Sequence, residues 1–182
     1  LKHNTGVLQS QIEDLLRFNT AAFEARQLHR QTVDLRQLIE DQVEAQRLQW
    51  RARELTVTVS GEPLKMDVDT EKIGTALANL LSNAIRYSPL KGRIELTLRQ
   101  HPGGVQLDIQ DQGVGVAPAD RDRIFEPFYR LPGASEREGG VGLGLALVKS
   151  ISERHGGTVR CEARPGGGAS FIVELPMTDQ KA

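Results

Sequence analysis

The chain has 182 residues, 38% of them apolar, and a formal net charge of −1 from 23 basic and 24 acidic side chains. That length fits one domain with a short appendage, the apolar share suffices for a buried core, and the balanced charge excludes nucleic-acid or anionic-lipid binding by bulk attraction. A single Cys excludes an intrachain disulfide, four scattered His give no zinc spacing, and no run approaches the ~18 apolar residues of a membrane span. We expect a reducing, cytoplasmic setting. Because the chain opens at Leu1 and not Met, we also expect a fragment, with membrane attachment only through segments upstream.

Taken in chain order, residues 1–53 contain one Gly and no Pro, whereas seven of the eight Pro lie beyond residue 88. Leu8, Ile12, Leu15, Asn19 and Ala22 recur at four- and three-residue steps, which predicts one long helix from about Thr5 to Leu28 that packs along another helix. A break is expected over Gln31 to Asp34. A second helical stripe follows, made by Leu35, Ile39, Val43 and Trp50.

Period-two alternation then begins with Leu55, Val57 and Val59 and returns at Ile94, Leu96, Leu98 and at Val105, Leu107, Ile109. The last two runs flank His101, Pro102, Gly103 and Gly104, a hairpin signal. Val159, Cys161, Ala163 and Phe171, Val173, Leu175 flank Pro165 to Gly168 in the same way. Helical windows fall at 69–87 and 143–155. Helices interleaved with hairpins predict an α+β two-layer sandwich, one mixed sheet covered by helices, preceded by one long helix. We divide the chain into a helical lead, 1–30, and a globular domain, 31–182.

Three clusters can carry chemistry. On the helix of 69–87, Asn79, Asn83, Arg86 and Tyr87 share one side, while Ile73, Leu77, Leu80, Leu81 and Ala84 take the other. Asn is a poor helix former, so two of them one turn apart suggest either a solvated face or a hard-cation site built on amide oxygen. Asp111, Gln112, Gly113, Val114 and Gly115 end a strand. They read as a plain turn or as a carboxylate that accepts from a ring amino group beside glycines that admit a ligand. Gly139, Gly140, Val141, Gly142, Leu143 and Gly144 lead into a helix, where unpartnered N–H groups suit an anion; no Gly-Lys-Ser or Gly-Lys-Thr follows, so this is not a P-loop. Between the glycine regions, Phe125, Glu126, Pro127 and Phe128 precede Arg130 and a polar stretch, which reads as core packing or as the base of a mobile lid. Cys161 reads as a small core residue and His155, before two glycines, as a helix C-terminal cap.

In order, these pieces resemble the ATP-binding catalytic domain of sensor histidine kinases, within the GHKL ATPase and kinase superfamily. Asn79 to Tyr87 is similar to the N box, Asp111 to Gly115 to the first glycine box, Phe125 to Phe128 to the F box, and Gly140 to Gly144 to the second glycine box. The resemblance implies a Bergerat-type fold, ATP and Mg2+ as ligands, a response-regulator receiver domain as partner, and a homodimer in the complete protein. It implies that Asn83 binds Mg2+ and Asp111 accepts the adenine amino hydrogen. Asn79, Tyr87, Gly113, Gly115, Phe125, Gly140, Gly142, Leu143 and Gly144 would line the nucleotide, and Arg86 and Arg130 would contact phosphate.

Hydrolysing relatives place a Glu four residues before the metal Asn, where this chain has Asn79. An amide is no general base at neutral pH, which favours transfer over hydrolysis. The family's phosphoacceptor segment does not occur around His3 or His29; residues 1 to about 28 instead resemble the second helix of the dimerisation hairpin, with Asp14, Leu15 and Leu16 similar to the run near its end. Two alternatives stay open: a nucleotide-regulated binding module without transfer, and a serine kinase of the anti-sigma-factor type, which the long helical lead argues against.

Overall fold

The computed structural model describes residues 8–9, 11–16, 28–130 and 143–177. Residues 8–9 and 11–16 are helical, with Leu8, Ile12 and Leu16 exposed. Leu28 and His29, at the expected end of the helix, have no regular structure, and the expected helix between residues 16 and 28 lies outside the described set. The globular part then runs β1 (Arg30–Asp34), α1 (Leu35–Ala45), α2 (Arg47–Ala52), β2 (Thr56–Ser60), β3 (Lys65–Asp69), α3 (Thr70–Tyr87), β4 (Arg93–His101), β5 (Gly104–Asp111), α4 (Gly144–Arg154), β6 (Thr158–Ala163) and β7 (Ala169–Pro176). Single 3-10 turns occupy Pro118–Asp120 and Arg123–Phe125.

The expected break at Gln31 to Asp34 is instead strand β1, antiparallel to β3 in a two-stranded sheet. Its one aliphatic residue, Val33, is too little for an alternation signal. What holds it is backbone pairing, with Thr32 Oγ1 and Arg30 Nη1 donating to the carboxylate and carbonyl of Asp67. β3 went unpredicted for the same reason, since Met66 and Val68 alone carry its inward face. The strand is followed at once by α1, because Asp34 caps it: Oδ1 accepts from the N–H of Arg36 at 3.0 Å.

The main sheet has the order β2-β4-β5-β7-β6, with β2 parallel to β4 and every other pair antiparallel. A parallel pair needs a crossover, which β3 and α3 supply. Alternation puts Val105, Leu107 and Ile109 of β5 against the helices, and the next inward position along that strand is Asp111. One carboxylate is thereby placed in the core layer by the same period that places the hydrophobes.

α3 is the central helix. Ile73, Leu77, Leu80, Leu81 and Ala84 are buried, as their spacing predicts, and each large side chain contributes roughly 1.5–3 kcal/mol by leaving water. That anchorage fixes the helix through one face and leaves the opposite face for polar groups. α4 lies antiparallel beside it. The start of α3 meets the end of α4, where the N–H of Asp69 donates to His155 Nε2 at 3.1 Å, while Gly144, the first residue of α4, faces Asn79 halfway along α3. Cys161 is a buried core thiol, and burial pushes it up to about 11. His155 ends α4 as the sequence suggests, with Gly156 beyond it at φ +79.

Candidate nucleotide site

The inward position of Asp111 gives it a relative exposure of 2%. Its Oδ1 accepts from the N–H of Gly113 at 2.9 Å and from the N–H of Ala169 at 3.4 Å, which leaves Oδ2 without a bond from any described residue. Burial raises the Asp111 carboxyl above the ordinary value; the two N–H donors and the more distant Arg164 pull it partly back. An acceptor held rigidly on one oxygen and open on the other suits a neutral N–H donor on a ligand.

Three backbone segments close around this carboxylate. A Cβ on Gly113 would lie 2.4 Å from the carbonyl oxygen of Tyr87, and one on Gly168 would lie 2.0 Å from the carbonyl oxygen of Asp111, so the end of α3, the β5 turn and the β6–β7 turn touch through glycine. Gly115, at φ +75, approaches Gly168 next to them. Gln112 straps the same turn to the sheet, its Oε1 accepting from the N–H of Arg93 at 2.8 Å. Gly168 and Ala169 are residues of this site that sequence reasoning misses, while Gln112 falls within the Asp111–Gly115 cluster without a role of its own. The Gly166–Gly168 run, all three at positive φ, was read only as a hairpin turn, and that run was the available signal.

On α3, Asn79, Asn83 and Tyr87 are half-buried along one stripe and Arg86 is exposed beside it. Asn79 Nδ2 donates to the carbonyl of Thr75 one turn back, at 3.1 Å. Its Oδ1 would be 3.4 Å from a Cβ on Gly144, so the amide faces the start of α4. The N-cap there is Leu143, buried, and no side chain among the described residues caps the helix, whereas Asp34 and Asp69 cap α1 and α3. An uncapped N-terminus presents its first-turn N–H groups to whatever anion approaches. Gly140 and Gly142 of the expected phosphate loop lie outside the described residues, as do 131–139 of the expected lid.

Phe125 is core: it is buried and packs edge-on against Phe171, centroids 6.2 Å apart. Phe128 is instead 54% exposed with φ +67, a strained backbone for an aromatic residue. Tyr129 donates to Asp120 at 2.7 Å, and Arg130 is exposed at the end of this segment. A separate groove of about 450 Å³ lies between Phe125–Pro127 and the outer flank of α4, and neither Asn83 nor Asp111 lines it. Thus the structure brings Tyr87, Asp111, Gly113 and Gly115 together where the end of α3 meets the β5 turn, sets Asn79 against Gly144 and the start of α4 halfway along α3, places Asn83 between them on the same stripe, and keeps Phe125 in the core.

The sequence profile of the histidine kinase-, DNA gyrase B- and HSP90-like ATPases matches residues 68–179, from β3 to beyond β7. The chain belongs to this ATPase family. Within the family its similarity is to sensor kinases. It is 43% identical over 109 residues to the sensor-like histidine kinase SenX3 of Mycobacterium bovis, a match covering 59% of this chain and 27% of that protein. The mycobacterial sensor histidine kinase MprB superposes with a TM-score of 0.71 at 33% identity, over 82% of this chain and 98% of that one. Full-length ShkA, solved in complex with AMPPNP, gives 0.81 at 30% identity, over 96% of this chain and 37% of that one. The chain spans about a quarter of the length of SenX3. The two-layer α+β architecture is that of the ATP-binding domains of this family, and no helix among the described residues is long and apolar enough to cross a membrane.

Proposed function

We propose that this chain is the ATP-binding catalytic part of a two-component sensor histidine kinase. It would transfer the γ-phosphoryl group of ATP to a His on a helix outside this sequence, for relay to an Asp of a response-regulator receiver domain. The observation that carries the reading is Asp111: a carboxylate buried at 2% exposure, tied through one oxygen and walled by Gly113 and Gly168, with the other oxygen available to the amino group of a purine.

The residues present fit Mg-ATP. Among the described residues no three His, Cys, Asp or Glu gather as a metal cluster, so a hard cation here would be held by the Asn83 amide oxygen together with phosphate oxygens and water. Bound Mg2+ supplies charge neutralisation of the triphosphate. The chain's own residues do the rest. Asp111 orients the base, Tyr87 borders it, the start of α4 at Leu143 and Gly144 offers uncapped N–H groups to the phosphates, and Gly140 and Gly142, outside the described residues, would line the phosphates as the resemblance implies. Arg86 and Arg130 add positive charge beside the transferred group. Asn79 stands where a hydrolytic relative has Glu, and its amide is already bonded to Thr75, so no side chain there takes a proton from water.

The lead before Leu28 would belong to the second helix of the dimerisation and phosphotransfer hairpin, and the catalytic domain would open with β1 at Arg30, one residue before the boundary the sequence suggests. The complete protein would be a homodimer, with this part in the cytoplasm. The test uses the complete kinase and radiolabelled ATP: Asn83→Ala should abolish Mg2+-dependent phosphorylation of the acceptor His. Full activity would return the Asn face to a solvated helix surface. The chain alone should bind ATP without labelling itself, and acid-labile phosphate on His3 or His29 would overturn the placement of the acceptor elsewhere.

A further inference from the structure

Arg53 belongs to none of the motifs, yet it holds the wall of the purine pocket from behind. It sits half-buried on the turn between α2 and β2. Its Nη2 donates to the carbonyl oxygen of Ser88 at 2.5 Å, and its Nε is buried with no partner among the described residues. Ser88 is the C-cap of α3, 1% exposed, with its N–H and Oγ both donating to the carbonyl of Ala84, at 3.0 and 2.6 Å. The last carbonyls of a helix carry partial negative charge and lack intrahelical donors, so a guanidinium there is favourable on both counts.

The same turn grips the segment beyond the helix. The carbonyl of Arg53 accepts from the N–H of Lys91 at 3.0 Å, and the N–H of Thr56 donates to the carbonyl of Gly92 at 3.0 Å. The residue before Ser88 is Tyr87, whose carbonyl is the surface against which Gly113 is packed. Gly113 in turn donates the N–H that fixes Asp111 Oδ1. Two successive peptides are therefore held: Ser88–Pro89 by the guanidinium on the Ser88 carbonyl, and Tyr87–Ser88 by the close packing of the carboxylate's turn on the Tyr87 carbonyl. A helix end released by even an ångström would loosen the turn that aims Asp111 Oδ2.

We infer that Arg53 is a positioning residue for base recognition: by holding the carbonyl end of α3 it keeps the Asp111–Gly113 turn aimed at the amino group of the purine. The inference rests on the reading of Asp111 given above. A guanidinium that only capped a helix would affect stability and leave the choice between purines alone. A positioning role alters the choice, because adenine offers an amino donor to Asp111 where guanine offers a carbonyl oxygen.

The test measures ATP and GTP affinities of this chain by calorimetry, in Mg2+ and well below the melting temperature of each variant. Asp111→Asn, whose amide can donate to the guanine oxygen, is the reference that abolishes the preference for ATP. Arg53→Ala should weaken ATP binding about tenfold and cut the ATP-over-GTP ratio about fivefold, with Arg53→Lys keeping the ratio within about twofold of the parent because the charge stays at the helix end. Should Arg53→Ala fail to fold, Arg53→Gln decides in its place, with a fall of about threefold in the ratio expected for a neutral donor. If Asp111→Asn collapses the ratio while the folded Arg53 variants leave it intact, Arg53 is a helix cap and the inference is wrong. If Asp111→Asn itself leaves the ratio intact, the purine reading fails and the inference falls with it.

Discussion

The two ends of the α3–α4 pair are built from similar residues to opposite purposes. At one end Asp69 is 3% exposed and saturated: it accepts from the N–H of His29 at 2.9 Å, from the N–H of Lys72 at 3.1 Å and from Lys72 Nζ at 3.3 Å, and its own N–H bonds His155. Beyond the far end of α3 Asp111 is equally buried but accepts, among the described residues, only through Oδ1, and α4 starts opposite the middle of α3 with no side-chain cap from the described residues. Burial alone raises both carboxyls. At Asp69 the donors and the Lys72 ammonium overcome it and the group ends below its ordinary value, while at Asp111 they do not and the group stays above. A buried carboxylate that is fully bonded is a joint; one left with an open oxygen is what the proposed reading requires of a receptor.

Removing the joint should have the largest effect. Asp69→Ala deletes the cap of α3, strands a mostly buried Lys72 and frees the backbone of His29, so unfolding free energy should fall by about 3–5 kcal/mol, the range for breaking a buried pair. ATP affinity of the molecules that stay folded should change little. Chemical denaturation and calorimetry check the two halves separately, and a lost affinity with intact stability would erase the distinction between the ends.

The receptor end should show the reverse pattern. Asp111→Asn keeps an oxygen for the Gly113 and Ala169 donors but removes the ionised acceptor, and ATP binding should weaken by about 1.5–3 kcal/mol. The sign for stability is opposite to that at Asp69. A carboxyl whose folded pKa is raised costs stability while ionised at neutral pH, so the amide should melt no lower than the parent and somewhat higher. A variant that loses both binding and melting temperature would make Asp111 a structural residue like Asp69.

This division also marks what the sequence makes legible. The sheet hairpins, α3 and α4 follow from strict period-two and period-3.6 patterns, because each buries a continuous apolar face. Asp111, Asn79 and the glycines stand out because they interrupt those patterns, a buried-side carboxylate in a strand and amides in a helix. The joint stayed invisible. β1 and β3 carry too few apolar residues to alternate, and Asp69 bonds His155 across 86 positions, a pairing no local spacing announces. His155 reads as an ordinary helix cap, and that part is correct; its second nitrogen, which binds Asp69, is known only from the fold.

His155 makes the joint sensitive to acid. Nδ1 lies 2.8 Å from the carbonyl of Ile151, which it must donate to, so Nε2 accepts from Asp69 and the ring is neutral. Burial lowers its pKa from the usual 6.5, as do Arg30 and Lys72, against the Ile151 carbonyl and Asp69. A depressed histidine keeps its full contribution above its unfolded value and loses it as pH falls below, because the unfolded chain then binds the proton first. Melting temperatures between pH 7.5 and 5.5 should therefore fall more steeply for the parent than for His155→Gln. Asp111 shifts in the opposite sense and cannot produce that fall; equal slopes would mean that His155 is not part of the joint.

The smallest effect expected is the most discriminating. Asn79 sits in the interior of α3, where an amide bonded back to Thr75 competes with the helix, and Ala is a better helix former by about 0.5 kcal/mol. Asn79→Ala should raise stability by roughly that amount. If the residue serves the site, the same change should lower ATP affinity, since the Asn79 amide oxygen faces Gly144 at the uncapped start of α4. The two outcomes have opposite signs on a single substitution, so a variant that is more stable and binds ATP as well as the parent would move Asn79 from the proposed site to the inert surface of the helix.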